Sequence, residues 1–260
     1  MNNTLHACIT GVGYWSSGLP SWPAARTYAR SGALPADAPA KPSPQMLAPN
    51  ERRRAPESVA VALEVAMAAC TDAGVEPAAL PSVFASTHGD LAIADYMCAT
   101  LADDPYAVSP TRFHNSVHNA AAGYWTIGNG CVQPTTALSA WDASFAQGLL
   151  EALAQLATGT EAVLLAAYDT AAAGPLGAMS GSQGLLGGAL VLAHDGPGTR
   201  LRATLVDGEA AAGDGPLARM VACNAMAPML PLFDVLASGG DLVLLKAGSG
   251  RMLRVEFAHG

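Results

Sequence analysis

The chain has 260 residues, 51% of them hydrophobic and only 13% charged, with a formal net charge of −8. A chain of this length buries a sizeable core, and one domain is the expected organisation. The acidic balance argues against a surface that neutralises duplex phosphates, since Lys and Arg are scattered apart from the run ERRRAP at Glu51–Pro56.

So few charges leave apolar surface for a second chain to cover, and an oligomer is expected. Cys8, Cys70, Cys98, Cys131 and Cys223 show neither CxxC nor another metal-ligand spacing. They read as reduced thiols of a cytoplasmic protein, and no metal or cofactor is expected. The opening MNNTLHACITGVGYW lacks a basic segment followed by an apolar one and so does not read as a signal peptide. No apolar stretch reaches the roughly 18 uninterrupted residues of a membrane span.

In chain order, LHACITGVG reads as a first strand ending in a tight glycine turn. Residues 20–56 are rich in proline and read as an irregular surface excursion. PESVAVALEVAMAACTDAG has apolar residues at helical spacing and Gly74 as a stop, which predicts a helix. SVFASTHGD predicts a short buried strand with a polar exit, followed by a helix in LAIADYMCATLADD. The stretch 117–127 predicts a helix of small residues. CVQPTTALS predicts a strand that Pro134 confines to an edge or to an irregular ladder.

A helix from about Asp142 to Thr158 follows, and EAVLLAAYD reads as a strand buried in mid-sheet. LLGGALVLAHD and RLRATLVDG read as paired strands joined at GPGT. AMAPMLPLFDVLASGG predicts a proline-interrupted helix, and the closing 20 residues a hairpin turning at AGSG. The alternation of strands and helices gives an α/β layered fold, with a mixed sheet.

The stretch TTALSAWDASFAQGLLEA is the most informative for chemistry. A turn between strand and helix can mount a nucleophile where unpaired helix N–H groups stabilise a developing anion. Asp142 stands at that entrance and is also an ordinary N-cap candidate. Ser139 is a nucleophile only if a base reaches it. His114 and His118 in FHNSVHN are the candidate bases, with His88 further off, and their spacing of four also places both on one helix face. No HExxH or third ligand accompanies them, so a metal reading competes with a structural one.

CITGVG, CVQPTTALSA, SFAQGLLEALAQLATGTEAVLLAAYD and GGALVLA resemble successive landmarks of the β-ketoacyl synthase family, which has the thiolase-like fold. More narrowly, SPTRFHNSVHNAAAGYWTIGNG followed by TALSAWDASFAQGLLEA is similar to short chain length factor subunits of aryl polyene and related ketosynthase heterodimers. The likeness spans 5–193, and the last 60 or so residues only loosely. It implies one ketosynthase-like domain over 1–260, with an N-terminal-like part at 1–195 and a reduced C-terminal part at 196–260.

In the family a cysteine follows the equivalent strand and accepts an acyl chain from acyl carrier protein, while two later histidines assist decarboxylation and condensation. Counting forward from Gly130, the cysteine position falls on Ser139; counting back from Gly159, it falls on Asp142. Neither is a thiol, no HGTGT-like segment occurs, and the only histidines after His118 are His194 and His259.

The resemblance therefore implies a non-catalytic subunit. It would pair with a catalytic ketosynthase, meet acyl carrier protein transiently and shape the acyl tunnel. Trp141, Phe145, Tyr124 and Trp125, with His114 and His118, are the candidate tunnel and interface residues, and core packing is the competing role for each aromatic. The alternative is an independent acyltransferase or esterase using Ser139 with His114 or His118.

Overall fold

The computed structural model describes residues 4–258. The first strand, β1 (Thr4–Ser16), is followed by α1 (Trp22–Ser31), α2 (Pro49–Arg54) and α3 (Glu57–Ala73). Next come β2 (Ser82–Ala85), α4 (Leu91–Asp103), α5 (Pro110–Asn115), α6 (Ala120–Asn129) and β3 (Thr135–Leu138). The helix α7 (Ser144–Ala157), β4 (Ala162–Asp169), α8 (Gly174–Ser180) and β5 (Leu186–Ala193) complete the first part. The remainder is β6 (Thr199–Asp207), α9 (Pro216–Met220), α10 (Leu230–Ser238), β7 (Leu242–Gly248) and β8 (Arg251–Ala258).

The strands hydrogen-bond in the order β3-β2-β4-β5-β1-β6-β8-β7. β2 is parallel to β3 and β4, whereas β5, β6, β8 and β7 join through antiparallel pairs, so the sheet is mixed. Successive residues of β4 divide between two cores because a strand alternates its faces. Val163, Leu165 and Ala167 face the cluster built on α7 and α10, while Leu164, Ala166 and Tyr168 face the one built on α3 and α6. α7 packs against β2, β4 and β1 and also meets β7 at the far end of the sheet, so the sheet curls around that helix. Leu149, Leu153 and Leu156 of α7 are fully buried there, each worth roughly 1.5–3 kcal/mol of hydrophobic stabilisation.

Three sequence expectations need correction. The glycines of CITGVG do not turn the chain, because β1 continues to Ser16. A Cβ on Gly11 would lie 2.2 Å from the Ala69 carbonyl oxygen, and one on Gly13 only 2.0 Å from that of Val65. These glycines let α3 lie directly on the strand, a non-local demand that looks like a turn signal when read locally.

The excursion at 20–56 is not all irregular. Ser21 caps α1 through the Ala24 N–H, and Trp22 and Ala25 are buried on its inner face. Finally, β5 and β6 are not neighbours. β1 lies between them, pairing with β5 over Cys8–Ser16 and with β6 over Thr4–Ile9. At 13 residues it is long enough to serve both. The GPG connection crosses it so closely that a Cβ on Gly198 would sit 2.0 Å from the Ile9 carbonyl oxygen. Pro134 precedes β3, which is the edge strand, and the helix, mid-sheet strand and closing hairpin expected at 57–73, 162–169 and 242–258 are present.

Candidate functional site: the strand-to-helix elbow

The parallel strands β2, β3 and β4 end together, and the loops that leave them converge. Ligand sites in open α/β sheets form at such carboxyl ends. After β3 the chain turns through a single helical turn at Trp141–Ala143 and enters α7. Trp141 has φ +56° and is the single non-glycine residue with positive φ among the described residues. A bulky side chain in this left-handed region costs roughly 1–3 kcal/mol and persists only where its surroundings impose it.

The surroundings here do so. Ser144 Oγ donates to the Trp141 carbonyl at 2.6 Å and accepts from the Ala140 N–H at 2.9 Å, pinning the turn from inside. Asp142 Oδ2 lies 2.6 Å from Lys246 Nζ on β7, which ties the turn to the far end of the curled sheet. No side chain caps α7, so Asp142 serves as an ion-pair partner and not as the expected N-cap. The indole of Trp141, 58% exposed, meets the ring of His88 edge-on at 5.3 Å.

A strained residue at the apex of a strand–turn–helix is how enzymes expose a nucleophile. The apex residue here is an indole, whose nitrogen lone pair is delocalised into the ring and which is a donor only.

Beneath the elbow lies a polar layer that sequence reading did not find. Asp169, 1% exposed at the end of β4, accepts from Ser86 Oγ at 2.7 Å, the Thr87 N–H at 2.9 Å and the His88 N–H at 3.3 Å. Burial pushes the Asp169 carboxyl upward, and hydrogen bonds from Thr87 and Ser86 pull it back. Asn224 Nδ2 donates to the Asp169 and Gln183 carbonyls. Thus the loop after β2 is fixed by a buried carboxylate, and His88 is held against Trp141 with its Nε2 2.7 Å from Ser180 Oγ. The polar exit STHGD carried a signal for this layer; the contribution of Asp169, 79 residues beyond Asp90, did not.

The candidate bases do not reach Ser139. Its Oγ donates to the Thr87 carbonyl at 2.9 Å. His118 Nε2–H donates to the Ser86 carbonyl at 2.9 Å, and His114 stacks edge-on to Tyr124 at 6.1 Å. The two histidines do not share a helix face, because α5 ends at Asn115 and His118 lies in the turn before α6. Among the described residues no group of three or more His, Cys, Asp or Glu is placed to hold a metal ion. His259 lies outside the described residues.

The four aromatic candidates separate. Phe145 is buried against Phe233 on the α7 side of the sheet, and Trp125 is buried against Phe84 on the α3 side. Tyr124 is half-buried and Trp141 exposed. Next to the elbow an open cavity of about 570 Å³ runs along Leu138, Ser139, Gln147 and Leu150 to Ala247. Beside the edge strand β3 the surface carries Ile127, 80% exposed, and Val132, 94% exposed.

The family model for the β-ketoacyl synthase N-terminal domain matches residues 22–226. The chain belongs to the β-ketoacyl synthase family. Its mixed eight-stranded sheet with the helices packed on it is the thiolase-like ketosynthase fold. No curated protein matches the chain.

Solved structures share the fold at low identity. The ketosynthase ApeO in complex with its chain length factor ApeC, from Xenorhabdus doucetiae, matches at TM-score 0.75 and 21% identity, covering 97% of this chain and 99% of that one. The AntDE:AntF assembly, a type II PKS acyl-carrier protein in complex with its ketosynthase bound to the hexaketide, matches at TM-score 0.74 and 13% identity, covering 98% and 99%. The ishigamide ketosynthase/chain length factor matches at TM-score 0.64 and 16% identity, covering 90% and 74%. Among the described residues no helix of this ketosynthase-family chain is long and apolar enough to cross a membrane.

Proposed function

We propose that this chain is a non-catalytic chain length factor subunit. It pairs in the cytoplasm with a catalytic ketosynthase and shapes the acyl tunnel during decarboxylative condensation on acyl carrier protein, in aryl polyene or related polyketide synthesis. In this reading 1–260 is one ketosynthase-like domain whose C-terminal part is reduced to the strands and helices after residue 195.

The observation that carries the reading is the apex of the elbow. The strained position is kept, but an indole occupies it, flanked by a Ser139 hydroxyl bonded to backbone and an Asp142 carboxylate paired with Lys246. Trp141 takes the place of the family's cysteine in this reading, between the two positions that counting gives. A hydroxyl without a base is a poor acyl acceptor at neutral pH, and an acylated carboxylate would be an unstable mixed anhydride.

Two further observations support pairing. β3 presents an open edge, and an exposed strand edge is a template for another chain. The apolar side chains of Ile127 and Val132 beside it are of the kind that a partner covers. In this reading Trp141 and Tyr124, which are not fully buried, line the shared tunnel, and the burial of Phe145 and Trp125 favours core packing for those two.

Co-expression with a catalytic ketosynthase from the same source tests the reading. A stable one-to-one complex by native mass is expected. Two separate species, with this chain folded and alone, would contradict it.

A further inference from the structure

Between β4 and β5 the chain runs through TAAAGPLGAMSGSQG, a stretch of small residues and glycines. Gly174 and Gly181 bracket α8 at φ +58° and +62°, a region in which glycine alone is unstrained. The two legs of this segment are joined at their base. The Ala172 N–H donates to the Ser182 carbonyl at 2.8 Å, and Ser182 Oγ to the Thr170 carbonyl at 2.7 Å. Above that base no residue of α8 is buried, and Leu176 and Met179 are 38% and 78% exposed. A seven-residue helix without a buried face is not stable by itself, so its few outside contacts decide where it lies.

α8 packs against α4, and the hydrogen bond between Ser180 and His88 is the single side-chain hydrogen bond that α8 makes beyond itself among the described residues. His88 is half-buried, and its backbone N–H belongs to the layer fixed by Asp169. Its ring can still turn about two torsions, and the Ser180 hydroxyl holds it at Nε2. That ring meets the exposed Trp141 indole. The Trp141 carbonyl is pinned by Ser144 Oγ and by Thr87 Oγ1 at 3.4 Å, whereas the ring contact that orients its indole is the one with His88. The turn carrying the indole stands between two cavities. Ser139, Ala140 and Ala143 line the one of about 570 Å³, and Asp142 lines another of about 370 Å³.

We propose that Ser180 is a positioning residue: from α8 it fixes the His88 ring, His88 fixes the Trp141 indole, and the lie of α8 thereby sets where the acyl tunnel closes. The last step rests on the proposed place of Trp141 in the tunnel wall, and the first two do not. An edge-on ring pair shifts an equilibrium between side-chain rotamers by about twofold to tenfold. A freed His88 therefore leaves the indole spread over more than one rotamer.

Iodide quenching combined with time-resolved fluorescence anisotropy reads this indole selectively, because Trp15, Trp22 and Trp125 are buried and Trp141 is exposed. Ser180→Ala and His88→Ala are expected to raise the amplitude of its nanosecond motion by about twofold or more, and Ser180→Thr, which keeps the hydroxyl, to restore it. Neither Ser180 nor His88 lies in the core, so the variants fold. In the complex with a catalytic ketosynthase, Ser180→Ala is expected to raise the share of products of other lengths by about twofold or more. It adds nothing in a Trp141→Ala background, since it acts through that indole.

An indole equally immobile in Ser180→Ala, or a length shift that persists when Trp141 is already Ala, would overturn the proposal. A loosened indole with product lengths unchanged in Ser180→Ala and in Trp141→Ala alike would overturn the tunnel role of Trp141, and with it the last step. The anisotropy needs no partner, so it decides the clamp even where no complex forms.

Discussion

The two sides of the elbow obey opposite rules. On the inner side, α7 is packed without slack: Gly148 has Leu165 and Ala85 within about 3 Å of where a Cβ would be, and Phe145, Leu149 and Leu153 are buried. On the outer side Trp141, Ile127 and Val132 expose large apolar surface beside an unpaired strand edge. The inner side satisfies its own packing, as a folding core must. The outer side does not, and it keeps a strained backbone as well. The contrast separates a closely packed helix from an exposed, strained turn whose apex residue is an indole.

The largest expected effect lies on the inner side. Gly13→Val would drive a side chain into the Val65 carbonyl on α3, and a loss of about 3 kcal/mol or more in urea denaturation is expected. A mild effect would mean that α3 shifts freely and that the inner side is not tightly determined. On the outer side the reverse is expected. Ile127→Asp with Val132→Asp should leave the chain's own stability within about 1 kcal/mol, since both residues are exposed. The same pair should weaken binding of the ketosynthase by about 2 kcal/mol or more, measured by interferometry.

Ser139→Ala is smaller again. It removes one hydrogen bond to the Thr87 carbonyl, and a change of about 1 kcal/mol in stability is expected.

The smallest effect at neutral pH concerns Cys70, whose thiol is pushed up by burial to about 12 from 9.0. Folding favours its protonated form, so the contribution to stability is complete below about pH 9 and is lost as pH rises through about 12. Alkylation of the native chain at pH 8, followed by mass spectrometry, should label the exposed Cys98 and Cys223 and spare Cys70.

Much of the inner side was legible in the sequence, because helical spacing in α3 and α7 and the apolar runs of β4 and β5 are local signals. The place of β1 was not. A long strand that pairs β5 with one half and β6 with the other leaves no mark distinguishing it from a hairpin of β5 and β6. The elbow was found, but its apex was bracketed by Ser139 and Asp142, since nothing in a tryptophan's identity announces positive φ. The polar layer under it was missed for the same reason as the Lys246 ion pair: Asp169 and Lys246 reach the elbow from other strands, and only the curl of the sheet brings them there.

The central claim, that this elbow does no chemistry, is tested most directly by the turnover of the purified complex with Ser139→Ala and Asp142→Asn combined in this chain. The account predicts condensation within about twofold of the unaltered complex, and its abolition when the partner's cysteine is replaced. A fall of about a hundredfold or more with the complex intact would contradict it, because this chain would then be supplying a reacting group.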